Sequence, residues 1–257
     1  MTKLEAVTAS VSRLLAPNPG PMTLDGTNTW VLRAPGGDGG AVVVDPGPVE
    51  NGHIDEVAAL GEIAAIVLTH GHFDHSECAP ELHERTGAPV IARDPELCID
   101  VDPIPDRPGR TKVAGLDWLT VLTPGHSSDS VSLVLESDRA LITGDSVLGR
   151  GTAVISHPDG VLGDYLESMR RLRDIAAGDI DLILPGHGPV VEHPLEVMEY
   201  YIAHRAERLD QVRAALAAGD EDEDAVVRRV YADVDESLWP YALLSVRAQL
   251  DYLRERG

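Results

Sequence analysis

Phenylalanine occurs once in 257 residues and cysteine twice, at Cys78 and Cys98. Two cysteines are too few for a disulfide framework and fit a reducing compartment. No apolar run approaches the ~20 residues of a bilayer-spanning helix. The N-terminal residues 1–17 carry no long apolar segment of the kind that marks a secretory signal. A cytoplasmic protein that does not enter membranes is therefore expected. Positive charge is also scarce: 21 Lys and Arg stand against 43 Asp and Glu, a net of −22, and no lysine follows Lys112. An acidic surface repels phosphate backbones over a Debye length, which excludes a sequence-specific DNA binder. Small substrates remain, as does a nucleic acid whose phosphate rests on a metal.

What is present suffices for a core. Hydrophobic residues make up 43% of the chain and charged residues 25%, ordinary for a globular protein of one large domain with a small appendix. Residues 28–33 and 41–45 are apolar runs on either side of the Gly-rich turn Pro35–Gly40, a hairpin pattern. A helical pattern follows at 51–62. Short apolar runs then recur at 64–70, 89–92, 118–126, 131–137, 140–145 and 181–187, with a helical pattern from Gly163 to Ile175 between the last two. Ribbons of strand mixed with strand–loop–helix units predict an α/β protein with packed sheets between helices. From about Pro194 the strand signal stops. Val197–Leu216 reads as a long helix, the acidic run Gly219–Asp224 as a solvated loop, and 224–231 and 238–255 as two further helices. The expected division is a catalytic domain over 1–200 and a helical domain over 201–257. An apolar face at Trp239, Tyr241, Leu243 and Leu244 reads first as a buried helix face, and as a homo-oligomer contact second.

The chemistry sits at the ends of the apolar runs. Four of them finish in metal-ligand residues: Thr69-His70-Gly71-His72-Phe73-Asp74-His75, Pro124-Gly125-His126, Gly144-Asp145 and Pro185-Gly186-His187. Five of the ten histidines lie in these places. Glycine and proline shape the sharp turns that project side chains from strand ends, where α/β proteins place their sites. A lone histidine after a strand is ordinarily a turn or core residue. Four ligand-type residues within six positions have no packing use, because clustered polar groups are costly to bury unless paired or metal-bound. His70, His72, Asp74, His75, His126, Asp145 and His187 are too many donors for one zinc, which takes four or five. Two metals ~3.5–4 Å apart, sharing a carboxylate and a hydroxide, would use all seven. Imidazole and carboxylate donors suit zinc first, with iron or manganese as alternatives.

In these motifs the chain resembles the metallo-β-lactamase-fold hydrolases, whose metal motifs occur in the same order and at similar spacing. The resemblance implies an αββα sandwich, two mixed sheets between helices, with a small helical C-terminal domain. It implies that His70, His72 and His126 hold a first metal, that Asp74, His75 and His187 hold a second, and that Asp145 bridges them. Having His75 and Asp145 in these places is more like the glyoxalase II and nuclease branches than like true β-lactamases. The segments Asn18–Thr29, TPGHSSDS at 123–130, GDSVLGRGT at 144–152, PGHGPV at 185–190 and HRAERLDQV at 204–212 narrow the resemblance to the β-lactamase-like protein 2 group. That group carries a C-terminal winged-helix-like domain and includes single-strand-selective endoribonucleases. Here the chain ends at Arg254-Glu-Arg-Gly257, where a wing hairpin would begin. With no lysine in this part either, weak contact between the appendage and nucleic acid is expected.

The function implied is a dinuclear hydrolase in which Asp74 orients the attacking hydroxide and passes a proton to the leaving group. Cleavage of phosphodiesters in single-stranded RNA is the first substrate reading. A small ester, thioester or lactone is the second, favoured by the acidity and the missing wing. A mononuclear iron dioxygenase and a non-catalytic binding module are minor readings. Asp45 is expected to act behind a ligand histidine or simply to start the turn before Pro46-Gly47. Thr27 and Asn28 are expected at the substrate mouth on the strength of the resemblance. Phe73 is expected to pack beneath the metal loop, Ser127–Ser130 to fix their own turn, Cys78 to be buried, and Arg170, Arg171 and Arg173 to form a solvated face or meet an anionic substrate. His53, His83, His157, His193 and His204 are given no functional role.

Overall fold

The computed structural model describes residues 4–37, 39–49, 52–220 and 222–256. Asp38 of the hairpin turn, Asn51 at the first helix, Glu221 of the acidic run and the chain ends 1–3 and 257 lie outside the described residues. Strands β1 (Glu5–Ala6), β2 (Val11–Leu15), β3 (Asn28–Leu32), β4 (Ala41–Val44), β5 (Ile63–Val67) and β6 (Val90–Ile91) form a six-stranded sheet in chain order. Neighbours are antiparallel as far as β4 and parallel from β4 to β6. The second sheet runs β11 (Leu182–Pro185), β10 (Ala140–Gly144), β9 (Val131–Leu135), β8 (Leu116–Leu122), β7 (Gly109–Val113). Only β10 and β11 are parallel in it.

The inner strands β3, β4, β9 and β10 are buried along their length because both of their faces are covered. In β4, Val42 and Val44 point between the sheets, where Trp30 meets Trp118, Leu133 and Ile142 of the second sheet. Val43 points the other way, onto Ile54 and Val57 of α1 (His53–Ala58) and Leu82 of α3 (Ala79–Thr86). The outer face of the second sheet, through Val121, Leu141 and Ile183, packs on Tyr165, Met169 and Leu172 of α4 (Leu162–Ala176) and Met198 and Tyr201 of α5 (Pro194–Ala217). Each such large side chain, fully buried, contributes about 1.5–3 kcal/mol of apolar transfer. Two mixed sheets thus lie between helices, as the sequence pattern predicts.

The helical end has its own apolar cluster. Val212 and Ala215 of α5 meet Val226, Val227 and Val230 of α6 (Glu223–Val230) and Ala242, Val246 and Leu250 of α7 (Trp239–Arg256). Helix α5 is unbroken across positions 200 and 201, so one rod links sheets and helical end. Glu223 and Asp224, read as loop from their charge, occupy the first turn of α6, where carboxylates complement the helix dipole. Among the described residues no strand follows β11, and no helix is long and apolar enough to cross a membrane.

Candidate metal centre

Strand direction gathers the candidate ligands. β8 and β10 are each antiparallel to β9, hence parallel to one another and to β11, so their C-terminal ends lie on one edge. β4 and β5 are likewise parallel. Beyond these ends come Asp45, Thr69–His72, His126, Asp145 and His187. The two sheets are stitched together there. The Asn28 amide nitrogen on β3 donates to the carbonyls of Pro185 and Gly188, both at 2.9 Å, and the Trp30 indole donates to Pro185. Asp74 and His75 arrive on the single-turn helix α2 (Phe73–Ser76), whose Ser76 hydroxyl donates back to the Gly71 and His72 carbonyls.

Two triads result, His70–His72–His126 and Asp74–His75–His187. In the first, Nδ1 of His72 lies 3.1 Å from Nε2 of His70 and 3.0 Å from Nε2 of His126. In the second, Nε2 of His187 lies 3.2 Å from Nε2 of His75 and 3.0 Å from Oδ2 of Asp74. Asp145 stands between them: its oxygens approach His75 at 3.5 Å, His187 at 3.4 Å and His126 at 3.8 Å. Asp145 Oδ1 is buried with no hydrogen-bond partner.

The outward nitrogens of His70, His75, His126 and His187 are already spoken for, which fixes these four rings. Nδ1 of His126 donates to the Val154 carbonyl at 2.7 Å, and Nδ1 of His187 faces that of Gly26 at 3.2 Å. Nδ1 of His70 meets the Thr69 hydroxyl at 3.0 Å, and Nδ1 of His75 meets Asp45 at 2.9 Å. Asp45 also accepts from the Thr69 amide at 2.8 Å and hydroxyl at 2.7 Å. Its backbone sits at φ 53°, in the left-handed region that Asp tolerates, turning the carboxylate under the histidine loop. Gly186 must be glycine for a different reason: a Cβ there would collide with Asp145 Oδ1 and the His75 ring.

The electrostatics of the two triads differ. Burial drives the His70 imidazole well below its ordinary value, aided by the neighbouring His75 charge. Burial likewise brings His126 to about 4. Burial pulls on His75 and His187 too, but the carboxylates win: Asp74, Asp145 and Asp45 raise His75 well above 6.5, and Asp145, with Asp74, raises His187 to about 9. Desolvation would raise Asp74, yet the charge of His75 and the hydrogen bond from His187 bring it to about 2. Converging imidazole nitrogens, with His70 and His126 shifted toward neutral donors on one side and a carboxylate-rich set on the other, and Asp145 between, suit two divalent cations.

Thr27 and Asn28 are fully buried and do not line the cavity beside the centre. The Thr27 hydroxyl reaches Asp74 Oδ2 at 3.3 Å, and Asn28 is committed to the sheet-to-sheet stitch. Phe73 does not pack beneath the loop: it is 81% exposed, because the one turn of α2 that carries Asp74 and His75 inward carries position 73 outward. The Ser127–Ser130 turn holds itself, with the Ser127 hydroxyl donating to Asp129 at 2.7 Å. Cys78 is buried, and burial, with Glu81 and Glu77 nearby, pushes its thiol up to about 12, which leaves it unreactive. Arg171 donates to the Leu122 carbonyl and Arg173 pairs with Asp174, away from the centre.

A cavity of about 320 Å³ opens beside His126 and Asp145. Met22, Leu24 and Leu148 form apolar walls, and Arg205, Arg208 and His204 of α5 with Tyr231 and Tyr241 close the far side. Pattern reasoning missed the α5 residues. The available signal was three basic-type side chains at His204, Arg205 and Arg208 in an otherwise acidic chain.

Residues 22–187 match the family described as the metallo-beta-lactamase superfamily, and residues 223–257 match the beta-lactamase associated winged helix domain. A beta-lactamase-like protein 2 homolog from Drosophila melanogaster is 33% identical over 98% of this chain and 90% of its own length. An atrochrysone carboxyl ACP thioesterase from Aspergillus fumigatus is 31% identical over 84% of this chain and 68% of its own. The crystal structure of a beta-lactamase domain protein from Burkholderia ambifaria superposes with a TM-score of 0.83 at 25% identity, covering 99% of this chain and 88% of that one.

Proposed function

The chain belongs to the metallo-beta-lactamase superfamily of metal-dependent hydrolases, and from that premise we propose that it hydrolyses an ester or thioester with an apolar acyl group. The observation that carries this reading is the cavity: its lining joins His126 and Asp145 of the centre to a largely apolar wall shared with residues of α5 and α7. A single-stranded nucleic acid needs a positive track for successive phosphates; of the three arginines that line the cavity, Arg150 pairs with Asp25 and Arg208 with Asp233, in a chain of net −22. The thioesterase relative adds support.

His70, His72 and His126 would hold one divalent ion, Asp74, His75 and His187 a second, with Asp145 between them; zinc fits the donor set, as do iron and manganese. Bound there, the pair would supply Lewis acidity toward the scissile carbonyl and bring water toward a neutral pKa. The protein's own groups do the rest. Asp74 is the most open of the three central carboxylates, with its side chain 28% exposed against 12% for Asp145 and 1% for Asp45. It therefore accepts a hydrogen bond from the attacking water and returns a proton to the leaving group, while the Thr27 hydroxyl fixes its Oδ2. Asp45 and the Val154 and Gly26 carbonyls keep the imidazole rings aimed inward. Two triads joined by a carboxylate hold more donors than a single-iron oxygenase would use.

The test is a parallel assay of the metal-loaded chain on alkyl and aryl thioesters and on single-stranded RNA, with Asp74→Ala as control. Thioester cleavage that Asp74→Ala abolishes, with RNA intact, is expected. RNA cleavage lost in the same variant, with thioesters untouched, would reverse the substrate reading.

A further inference from the structure

The cavity's far wall holds a buried cation with no counter-charge. Arg205 is 3% exposed and lines the cavity. Its Nη2 donates to the Ala153 carbonyl, and its guanidinium carbon lies 4.9 Å from the centre of the Tyr165 ring. Nε has no partner, and among the described residues no carboxylate pairs with this side chain. In a chain with 43 acidic residues against 21 basic ones, carboxylates are not in short supply. A buried charge without a partner is costly to keep, and a fold that keeps one beside an open cavity has a place for an anion.

The neighbours sharpen this. Arg208, one turn along α5, stands 4.7 Å over the Tyr231 ring, donates to the Val230 carbonyl and pairs at 3.6 Å with Asp233, so its charge is partly balanced where that of Arg205 is not. Burial, then the charges of Arg205 and Arg208, hold the His204 imidazole down to about 4, and its Nδ1 is buried and unpartnered. Neutral at pH 7, His204 offers a hydrogen bond without further charge.

We propose that Arg205 receives a carboxylate carried on the acyl part of the substrate, at the end remote from the scissile bond. The acyl group then has an apolar body against Met22, Leu24 and Leu148, its carbonyl at the His126–Asp145 end and its carboxylate at the α5 end. With Nη2 and the ring face committed and Nε without a partner, the guanidinium meets a carboxylate through its remaining N–H groups as a charge-assisted hydrogen bond. The carboxylate site stands on Arg205 itself; only its assignment to an acyl group rests on the ester-hydrolase reading.

The experiment compares p-nitrophenyl hexanoate with mono-p-nitrophenyl adipate, esters of equal acyl length that differ in a terminal carboxylate, on the metal-loaded full chain. The wild type is expected to favour the adipate ester by about tenfold or more in kcat/KM, mainly through KM, the scale of one charge-assisted hydrogen bond. In Arg205→Met the ratio falls to near one; Arg205→Gln is a second neutral variant should the first not fold, and Arg205→Lys keeps most of the preference. A merely structural arginine would lower both esters alike and leave the ratio intact. A wild type indifferent to the carboxylate, or a ratio unchanged in both neutral variants, overturns the proposal. If the wild type cleaves neither ester, the ester reading fails and calorimetry decides the site: hexanesulfonate, a weak metal ligand, should bind about tenfold more tightly than hexanol, and Arg205→Met should remove the difference. Equal binding in the wild type overturns the anion site.

Discussion

The two triads of the centre are built from similar residues on one sheet edge, yet they handle protons in opposite ways. Around His70, His72 and His126 there is little negative charge except Asp145, and burial leaves His70 and His126 neutral. Around His75 and His187 lie Asp74, Asp145 and Asp45, and their carboxylates raise both imidazoles in the metal-free chain, His187 to about 9 and His75 well above its ordinary value. His70 and His126 give up their protons readily; the second half holds protons more tightly, and a cation entering it must displace them. The lesson is that ligand identity alone does not set a metal site: the second half owes its character to where the carboxylates stand.

Removing the group that both halves share should have the largest effect. Asp145→Asn is expected to bring hydrolysis to background and metal content below two ions per chain, read by steady-state assay and elemental analysis. Retention of both would show that the halves do not meet at Asp145. Acidification should separate the halves without any mutation. His187 titrates at about 9 in the folded, metal-free chain, so below that pH a cation entering the second half must expel a proton, and its affinity falls as pH falls, by up to about tenfold per unit for each proton released. His126, at about 4, carries no proton to expel above roughly pH 5, so the first half loses less affinity than the second between pH 9 and 6. Competition titrations with a chelator at several pH values should give one shallower and one steeper curve; two parallel curves would erase the distinction.

Smaller still is the effect of Asp45→Asn. Asp45 meets His75 directly but reaches His70 only through Thr69. Loss of the carboxylate should weaken the second half by about 10–100-fold and the first half less. Equal losses on both sides would mean that Asp45 supports the loop rather than one ring. Least of all, Phe73→Ser should shift stability by under about 0.5 kcal/mol and leave metal content at two, since the ring is solvent-exposed although it lies between ligands of different halves. A clear drop in melting temperature would contradict that placement.

Much of this was legible in the chain because it is local. His70, His72, Asp74 and His75 lie within six positions, and a cluster that dense has no packing explanation. The long apolar runs of β4, β5, β9 and β10 announced strands covered on both faces. The edge strands β1 and β7, and β2 beside β1, were not legible: GRTKV at 109–113 is polar and half exposed, so it carries no apolar run to recognise. Phe73 misled because hydrophobicity predicts burial, whereas the single turn of α2 is set by the ligands on either side. Arg205 was invisible for a further reason. On α5 it is one charge among many; only packing against Tyr165 of α4 and beside the cavity lined by α5 and α7 buries it without a carboxylate partner among the described residues.

The central claim is that two half-sites, joined at Asp145, each hold one ion. It is tested most directly by metal content per chain for the wild type, His72→Ala and His187→Ala, each confirmed as folded. The account predicts two ions in the wild type and one in each variant, lost from opposite halves. One ion in the folded, metal-replete wild type would contradict it.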